Sequence, residues 1–496
     1  MSDTNHSIFR SAKSFFAGTA ISRMTGFLRD MAMAASFGSA PEIGAFMVAY
    51  RLANLFRRVL GEGNLQAGFV PHFVTQKEDG PLFYRDVTFS FAILLFGVVL
   101  FLEGALWGCI HLVPASWLEI IELSMLMVPG LFFICLYGLN AALLQCQKKY
   151  FLPAVAPVAF NLIWIAVVLF SPNVKNLSIA ITVAFAGQWL MTAFTGAKLL
   201  PFKLWLKPEI FSSHFKTLLK PMALGIVGVS ATQLNSALDA IFARVADSGG
   251  PAFLWYSIRI QQLPLALFGM ALSGALLPPL SREQDSVRRK ELLLSALKIS
   301  GNVMLPCTFG IFALAIPGVN LLYGHGGFSS HDVYETSRCL WAYGGGLVPA
   351  VFVMLLAAYF YAQKKYKLPT KASLIAVGIN MALNAFFVFV LGWGAISIAI
   401  ATSISAIVNM AILSRKLLDG SFIQFMLKVA IGCAIPAAIV GGFQKIWMVD
   451  LPRDVFAQLL QFGICASVYL LGVLGMFWRL GLMEFLTLLK GKKAAG

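Results

Sequence analysis

The chain has 496 residues, of which 59% are hydrophobic and only 12% are charged. A soluble domain carries roughly 25% charged residues, so this composition excludes water as the main solvent of the surface and indicates a membrane protein. The net charge of +16 could suggest a nucleic-acid partner, but the basic residues cluster in short segments between apolar runs. This pattern indicates how a membrane protein is oriented in the bilayer, and it argues against a nucleic-acid partner.

Apolar runs of membrane-spanning length recur along nearly the whole chain. A helix that rises 1.5 Å per residue needs about 20 residues to cross roughly 30 Å of hydrocarbon. The runs cover residues 12–37, 43–66, 87–111, 121–147, 154–171, 177–198, 219–245, 252–279, 293–322, 338–362, 370–391, 396–416, 424–447 and 455–480. The sequence therefore predicts an all-α polytopic membrane protein with about 14 transmembrane helices.

The first run differs from a signal peptide. Arg23, Arg29 and Asp30 interrupt the segment where the apolar region of a signal peptide would be continuous, and more apolar runs follow directly. We expect this segment to be retained as the first helix.

Basic residues fall on alternate connections between the predicted helices. The rich connections contain Lys77 and Arg85; Lys148 and Lys149; Lys203, Lys207, Lys216 and Lys220; Arg282, Arg288, Arg289 and Lys290; Lys364, Lys365 and Lys367; and Arg415 and Lys416. The intervening connections contain few, such as Lys175, Arg338 and Lys445. The positive-inside rule places the rich set in the cytoplasm, and an even number of helices places both termini there.

Two motifs occur twice along the chain. The sequence Q-K-K-Y-x-L-P appears at 147–153 and 363–369, an offset of 216 residues, and Arg51-Leu52 with Pro71 is matched by Arg259-Ile260 with Pro279, an offset of 208 residues. The repeat predicts two pseudo-symmetric six-helix lobes in the same orientation, which commonly enclose a cavity with alternating access.

These observations predict three parts of the chain. An N-terminal six-helix lobe covers 1–200, a C-terminal six-helix lobe covers 201–420, and two further helices with a short cytoplasmic tail cover 421–496. The seven cysteines are odd in number, show no C-x-x-C spacing and mostly fall in apolar runs, so we expect small buried hydrophobic residues.

Four arginines fall within predicted helices: Arg23, Arg29, Arg57 and Arg259. An arginine at the bilayer centre costs roughly 2.5–3.5 kcal/mol on the insertion scale, so these side chains must face water, a partner or a ligand. These arginines outnumber the acidic residues nearby. Guanidinium groups can hold two phosphate oxygens at once, so the set predicts a cavity that attracts an anion.

The second helix adds further charged residues. At 100° per residue, Arg51, Arg58 and Glu62 lie within about 20° of one line, and Arg23 and Asp30 likewise share a face of the first helix. Arg51 and Arg58 could instead reach the headgroups or form structural pairs with Asp30 and Glu62, and the sequence leaves both interpretations open.

A second set of polar residues supports only a weaker prediction of a binding site. Asp239, Asn380, Asn384 and Thr402 carry oxygen atoms that could hold a sodium ion, but such residues also join helices by hydrogen bonds, which is the favoured interpretation. Glu103 could carry a proton or be a neutral acid. The sequence contains no phosphate-binding loop G-x-x-x-x-G-K-[ST] and no acidic pair suited to metal-assisted transfer, which argues against ATP hydrolysis and other enzyme activity.

Several motifs resemble a known family. Residues 21–30 (I-S-R-M-T-G-F-L-R-D), 54–63 (N-L-F-R-R-V-L-G-E-G) and 69–71, followed by Arg259, the L-P-P-L-S run at 277–281 and residues 359–370, resemble the MurJ (MviN) family of lipid II flippases. This resemblance covers nearly the whole chain. It implies the fold of the multidrug/oligosaccharidyl-lipid/polysaccharide exporter superfamily, with a groove formed by helices 13 and 14.

The resemblance also implies roles. Arg23, Arg29, Arg57 and Arg259, with Ser22 and Glu62 nearby, would bind the diphosphate head group of lipid II, and Arg51, Arg58 and Asp30 would be additional cavity residues. The implied process is peptidoglycan synthesis, and hence cell-wall biogenesis and cell shape, at the bacterial inner membrane. The partners would be lipid II, membrane lipids and cell-wall synthesis proteins, with no cofactor beyond a sodium ion or the membrane potential as driving force.

One position departs from the family pattern. The acidic residue that many relatives carry at the start of the second helix is Gly44 here, so the gating ion pair assigned there is not expected. The alternatives are a flippase for another polyprenyl-diphosphate glycan and a cation-coupled drug exporter of the same superfamily. The exporter would prefer acidic cavity residues.

Overall fold

The computed structural model describes residues 5–61, 64–75, 79–199, 201–415, 417–447 and 450–482, and all regular structure in these ranges is helical. The α-helices are α1 (Asn5–Phe37), α2 (Pro41–Leu60), α3 (Asn64–Thr75), α4 (Gly80–Ile110), α5 (Ala115–Met127), α6 (Gly130–Cys146), α7 (Phe151–Val155), α8 (Pro157–Phe170), α9 (Val174–Ala197), α10 (Phe202–Trp205), α11 (Ser213–Ala246), α12 (Gly250–Pro264), α13 (Ala271–Arg282), α14 (Ser286–Tyr323), α15 (Ser330–Gly345), α16 (Leu347–Ala362), α17 (Lys367–Ala385), α18 (Ile396–Ser414), α19 (Gly420–Trp447) and α20 (Val455–Arg479). π-helical turns follow α12 and α17, at Leu265–Met270 and Phe386–Val390. The predicted all-α class is confirmed.

Within the described ranges, ten helical segments are long and apolar enough to cross a membrane, and the bent pair α5 and α6 makes eleven if it is one span. Helices α1, α2 and α11 contain 33, 20 and 34 residues, so they are also long enough, but charged residues interrupt α1 and α2, and polar residues lower the hydropathy of α11. The chain is a multi-pass membrane protein, and the number of 14 helices stays a prediction.

The α-carbon contacts divide the chain into two compact units, Met1–Ile241 and Phe242–Gly496. In the first unit α6 packs on α9, α1 on α8 and α2 on α5. In the second unit α14 packs on α19 and α20, α17 on α18 and α12 on α15. The predicted lobe limits at residues 200 and 420 stay predictions.

The internal repeat is visible in the breaks between helices. Helix α5 meets α6 at an angle of 43°. A Cβ atom on Gly130, at the start of α6, would lie 2.8 Å from Phe185 of α9. Gly346, 216 residues later, separates α15 from α16, and its Cβ would lie 2.7 Å from the Ser403 hydroxyl of α18. In both units a glycine at the break permits close contact with a neighbouring helix.

The cysteines behave as the sequence predicts. All seven are free thiols, and Cys135, Cys339, Cys433 and Cys465 are buried. The last two lie in an apolar cluster with Tyr469, where α19 and α20 pack on α14. The expectation of small buried hydrophobic residues is confirmed for these four.

A polar clamp joins two loops of the second unit. Arg453, before α20, donates through Nη1 to the carbonyl of Phe328 at 2.6 Å and to that of Gly324 at 3.3 Å. Buried Gln458 donates to the carbonyls of Gly324 and Pro452, and Asn320 also donates to Pro452. The clamp fixes the start of α20 against the α14–α15 loop.

Replacement of Arg453 by alanine removes a charged donor from two carbonyls. We expect Arg453→Ala to lower stability by about 1–3 kcal/mol, because the Phe328 carbonyl loses its charged donor while the Gly324 carbonyl keeps only that of Gln458. Thermal unfolding in detergent, followed by reaction of the buried cysteines with a thiol-specific fluorophore, measures the change. Arg338→Ala is the control, because the Arg338–Glu335 pair is exposed and such pairs contribute 0 to about 1 kcal/mol. Equal unfolding temperatures for the two variants would contradict the role of the clamp.

Candidate functional site

The first group of predicted site residues is a polar network between α1 and α8. Arg29 and Asp30 are 6% and 1% exposed. Arg29 Nε and Nη2 donate to Asp30 Oδ1 at 3.1 and 2.7 Å, and Arg29 Nη1 donates to Asn161 Oδ1 at 3.1 Å. The Asn161 amide donates in turn to the Ser22 carbonyl and to the Thr25 hydroxyl. Arg29 therefore joins α1 to α8 in this conformation.

Aromatic rings complete the environment of Arg29. Its guanidinium carbon lies 4.5 Å from the centre of the Trp164 ring and 6.0 Å from that of Phe160. Trp164 makes edge contacts with Phe46 and Tyr50 of α2. A desolvated cation over an aromatic face gains roughly 2 kcal/mol, so the contact offsets part of the cost of burying the charge.

Arg23 lies in a different environment, one and a half turns earlier on α1. Its side chain is exposed, and it makes no hydrogen bond or ion pair with another residue in the part of the chain that the structure describes. Ser22 takes part in the Asn161 network through its carbonyl. Of the two α1 arginines that the family resemblance implies, Arg29 is held by protein groups and Arg23 is accessible.

Helix α2 presents two arginines to α11. Arg51 Nη1 donates to the Ser236 hydroxyl at 2.8 Å, and Arg58 Nη1 donates to Gln233 Oε1 at 3.3 Å. These two bonds to neutral side chains position both guanidinium groups against α11. Glu62, predicted on the same line, lies outside the described residues.

Arg57 lies near the carboxyl end of α2. Its Nε donates to Asn54 Oδ1 at 2.8 Å, one turn earlier. A close backbone approach fixes this end of the helix, because a Cβ atom on Gly138 of α6 would lie only 2.8 Å from the Gly61 carbonyl oxygen. The position of Arg57 therefore depends on glycine at 138.

Arg259 is the single arginine of the set in the second unit. It lies on α12, and its guanidinium carbon is 4.2 Å from the centre of the Trp255 ring. The sequence repeat equates Arg259 with Arg51. The two copies differ in how they are held, by an aromatic face in one unit and by a hydroxyl in the other.

Hydrogen bonds link the proposed sodium ligands of the second unit. Asn384 donates to Asn380 Oδ1 at 3.1 Å within α17, and Asn380 donates to Thr402 Oγ1 at 3.3 Å, which joins α17 to α18. Two of the oxygens that a cation would need therefore already accept hydrogen bonds. Asp239 belongs to the first unit, where it accepts a bond from Asn235. The sodium site stays a prediction.

No group of three or more His, Cys, Asp or Glu side chains that could hold a metal ion is found in the described ranges. Glu103 Oε1 is buried without a hydrogen-bond partner among the described residues, and its role is not assigned.

Sequence reasoning missed the partners that hold the arginines. Asn161 and Trp164 are one turn apart on α8, and Gln233 and Ser236 are one turn apart on α11. Each pair places polar or aromatic side chains on one face of an otherwise apolar helix, which is the signal that could have identified them.

The two arginines of α1 give opposite expectations for stability. Arg29→Ala leaves the Asp30 carboxylate buried without its partner, so we expect a loss of roughly 3–5 kcal/mol. Arg23→Ala removes an exposed side chain, and we expect a change within about 0.5 kcal/mol. Thermal unfolding of both variants in detergent tests this difference. A large loss of stability in Arg23→Ala would contradict the assignment of Arg23 as accessible.

Comparisons with known proteins identify the family of the chain. The family model of the lipid II flippase MurJ matches residues 33–453. A probable lipid II flippase MurJ from Chlamydia pneumoniae is 34% identical over 431 residues, which cover 82% of this chain and 77% of that protein. The solved structure of a lipid II flippase MurJ in an inward closed conformation is 26% identical, with a TM-score of 0.77 over 94% of this chain and 99% of that chain.

A more distant likeness shows the fold alone. An inward-facing multidrug transporter of the MATE family is 15% identical, with a TM-score of 0.59 over 84% of this chain and 95% of that chain. The fold implied by the sequence motifs, that of the wider exporter superfamily, is confirmed. On the family model and the relatives together, the chain belongs to the lipid II flippase MurJ family.

Proposed function

We propose that this protein moves lipid II, the polyprenyl-diphosphate-linked precursor of peptidoglycan, from the cytoplasmic to the outer leaflet of the bacterial inner membrane. The observation that carries the proposal is the match to the lipid II flippase model over residues 33–453. The exposed Arg23 side chain on α1, and the hydrogen bonds that position Arg51 and Arg58 on α2, supply cationic groups suited to the diphosphate of that substrate.

The chemistry of the arginines suits a diphosphate. Guanidinium groups are planar, remain charged at any physiological pH and bind two phosphate oxygens in parallel. Arg23 is exposed, and Arg57 donates to a neutral amide oxygen of its own helix. In the first unit we assign the diphosphate to Arg23 and Arg57, with Arg51 and Arg58 as further cavity residues, and in the second unit Arg259 is the candidate.

Arg29 has a positioning role in this proposal. Its donors are directed at Asp30 and Asn161, and Trp164 covers its face. It would act on the substrate by fixing α1, and hence the place of Arg23 and Ser22, or by exchanging its bonds in another conformation.

Transport would proceed by alternating access, without a chemical reaction. The head group enters from the cytoplasmic leaflet, binds the arginines and is released outside after a conformational change, while the polyprenyl tail stays in the groove formed with α19 and α20. Positive groups that bind a negative head group couple the step to the membrane potential, worth about 2.3 kcal/mol per charge per 100 mV. A sodium gradient is the alternative driving force. Both termini would lie in the cytoplasm, and cell-wall synthesis proteins would be partners.

Two alternatives share the fold. A flippase for another polyprenyl-diphosphate glycan would use the same arginines, because its substrate carries the same diphosphate. A cation-coupled drug exporter would need acidic cavity residues, and the positive residues of α1 and α2 argue against it.

The experiment measures lipid II on the outer face of cells in which this protein is the sole flippase. We expect Arg57→Ala to lower the exposed fraction by 10- to 100-fold, since a hydrogen bond to a charged group contributes about 1.5–3 kcal/mol. Arg288→Ala, at an exposed position at the start of α14, is the control and should retain exposure. Absence of exposed lipid II with well-expressed native protein would redirect the proposal to another polyprenyl-linked glycan.

Gly138→Ala tests the same site through the backbone. Its Cβ atom would meet the Gly61 carbonyl, a backbone atom that cannot move aside, so we expect a loss of about 1–3 kcal/mol in stability and reduced exposure of lipid II. Gly97→Ala is the matched control, because nothing lies within 4 Å of a Cβ atom there. Normal transport and stability in Gly138→Ala would contradict the dependence of Arg57 on this contact.

A further inference from the structure

The repeated Q-K-K-Y motif forms the same unusual turn in both units. Lys148 has φ 61° and Lys364 has φ 57°, and among the described residues Phe211 is the one other non-glycine residue with positive φ. After each turn the next amide reaches back to the helix that precedes it: Lys149 N–H donates to the Leu144 carbonyl at 2.8 Å, and Lys365 N–H donates to the Phe360 carbonyl at 2.9 Å. These bonds define a helix-terminating Schellman turn.

Lysine is an unfavourable residue for this position. The left-handed conformation brings Cβ against the following carbonyl, so glycine or asparagine normally occupies it. A lysine near a helix end does gain from the helix dipole, but any position in the last turn would give that gain without left-handed backbone. The presence of lysine at both equivalent positions, 216 residues apart, indicates a use for the side chain.

Exposed lysines and aromatic residues lie together at both turns. Lys148, Lys149, Lys364 and Lys365 are all exposed. Tyr366, directly after the second lysine pair, is 57% exposed and stacks on exposed Tyr361 with ring centres 5.8 Å apart, and Phe151, two positions after Lys149, is 45% exposed. Aromatic residues next to lysines are typical of the headgroup layer, where the ring contacts lipid and the charge meets phosphate.

We infer that the turns at Lys148 and Lys364 are two equivalent binding sites for the phosphate of anionic phospholipid headgroups. Each site consists of the lysine in the left-handed turn, the lysine that follows it and the nearby aromatic residue. In the second unit Lys365 Nζ also donates to Gln363 Oε1 at 3.0 Å, which uses one of its three N–H donors. Both turns belong to the basic connections that the charge pattern assigns to the cytoplasmic side, where anionic lipids are abundant. The inference uses the orientation given in the proposed function but not its substrate.

The test is binding of fluorescent phosphatidylglycerol to the full-length protein in neutral detergent. Each lysine near an anionic surface contributes a fold-change of about 5. We therefore expect Lys148→Gly/Lys364→Gly to bind phosphatidylglycerol about 5-fold more weakly at each site. Glycine accepts the left-handed turn, so the unfolding temperature should be unchanged or higher, which separates lost binding from lost folding.

The matched control removes two positive charges elsewhere. Lys175→Ala/Lys445→Ala changes exposed lysines on the intervening connections and should retain the native affinity. Unchanged affinity in the glycine variant, equal weakening in the control, or equal binding of zwitterionic phosphatidylcholine would overturn the inference. Displacement of the lipid by inorganic phosphate at similar concentration would overturn it in favour of a free phosphate site. None of these outcomes depends on flipping, so failure here is distinct from failure of the proposed function.

Discussion

This part of the structure depends on how the guanidinium groups of α1 and α2 are solvated, because a charge among membrane helices must be solvated by protein, water or ligand. Arg29 is solvated by protein groups. Asp30 supplies the opposite charge, Asn161 supplies an amide oxygen and Trp164 supplies a ring face. These contacts offset the desolvation cost of the buried charge within the first unit, and they fix α1 to α8. The buried Arg29–Asp30 pair is better explained by its role in positioning α1 than by a contribution to stability, since desolvation offsets much of the attraction between the two charges.

The neighbouring arginines follow a different rule. Arg51 and Arg58 donate to neutral groups on α11, so both side chains are positioned against that helix. Packing also fixes α2 at its carboxyl end, where the backbone of Gly61 contacts Gly138 of α6. Positioned guanidinium groups on well-packed helices suit the recognition of a diphosphate, because binding then costs little reordering.

The sequence predicts the fold better than the site, and the reason is physical. Helix positions follow from apolar runs because the bilayer imposes one length on every span, and the repeat follows from motifs that keep their spacing. The breaks at Gly130 and Gly346 were not predicted, because a glycine in an apolar run signals a bend only when a neighbouring helix approaches it. At the site, helical periodicity placed Asp30 on the same face as Arg23, whereas the structure pairs it with adjacent Arg29. The other contacts of Arg29 given above are 131 or more residues away, and no local pattern specifies such a contact.

The repeated arginine shows how the two units have diverged within one scaffold. Arg51 and Arg259 occupy equivalent positions, yet the first bonds to a hydroxyl on α11 and the second lies over Trp255 on its own helix. The hydrogen bond of Arg51 uses a donor that phosphate could also use, whereas the contact of Arg259 with the Trp255 ring face does not itself use an N–H donor. Binding of a diphosphate would therefore replace the bond between Arg51 and Ser236, while Arg259 would keep its contact with Trp255. This difference gives a physical reason for the two repeated arginines to respond differently to an anion.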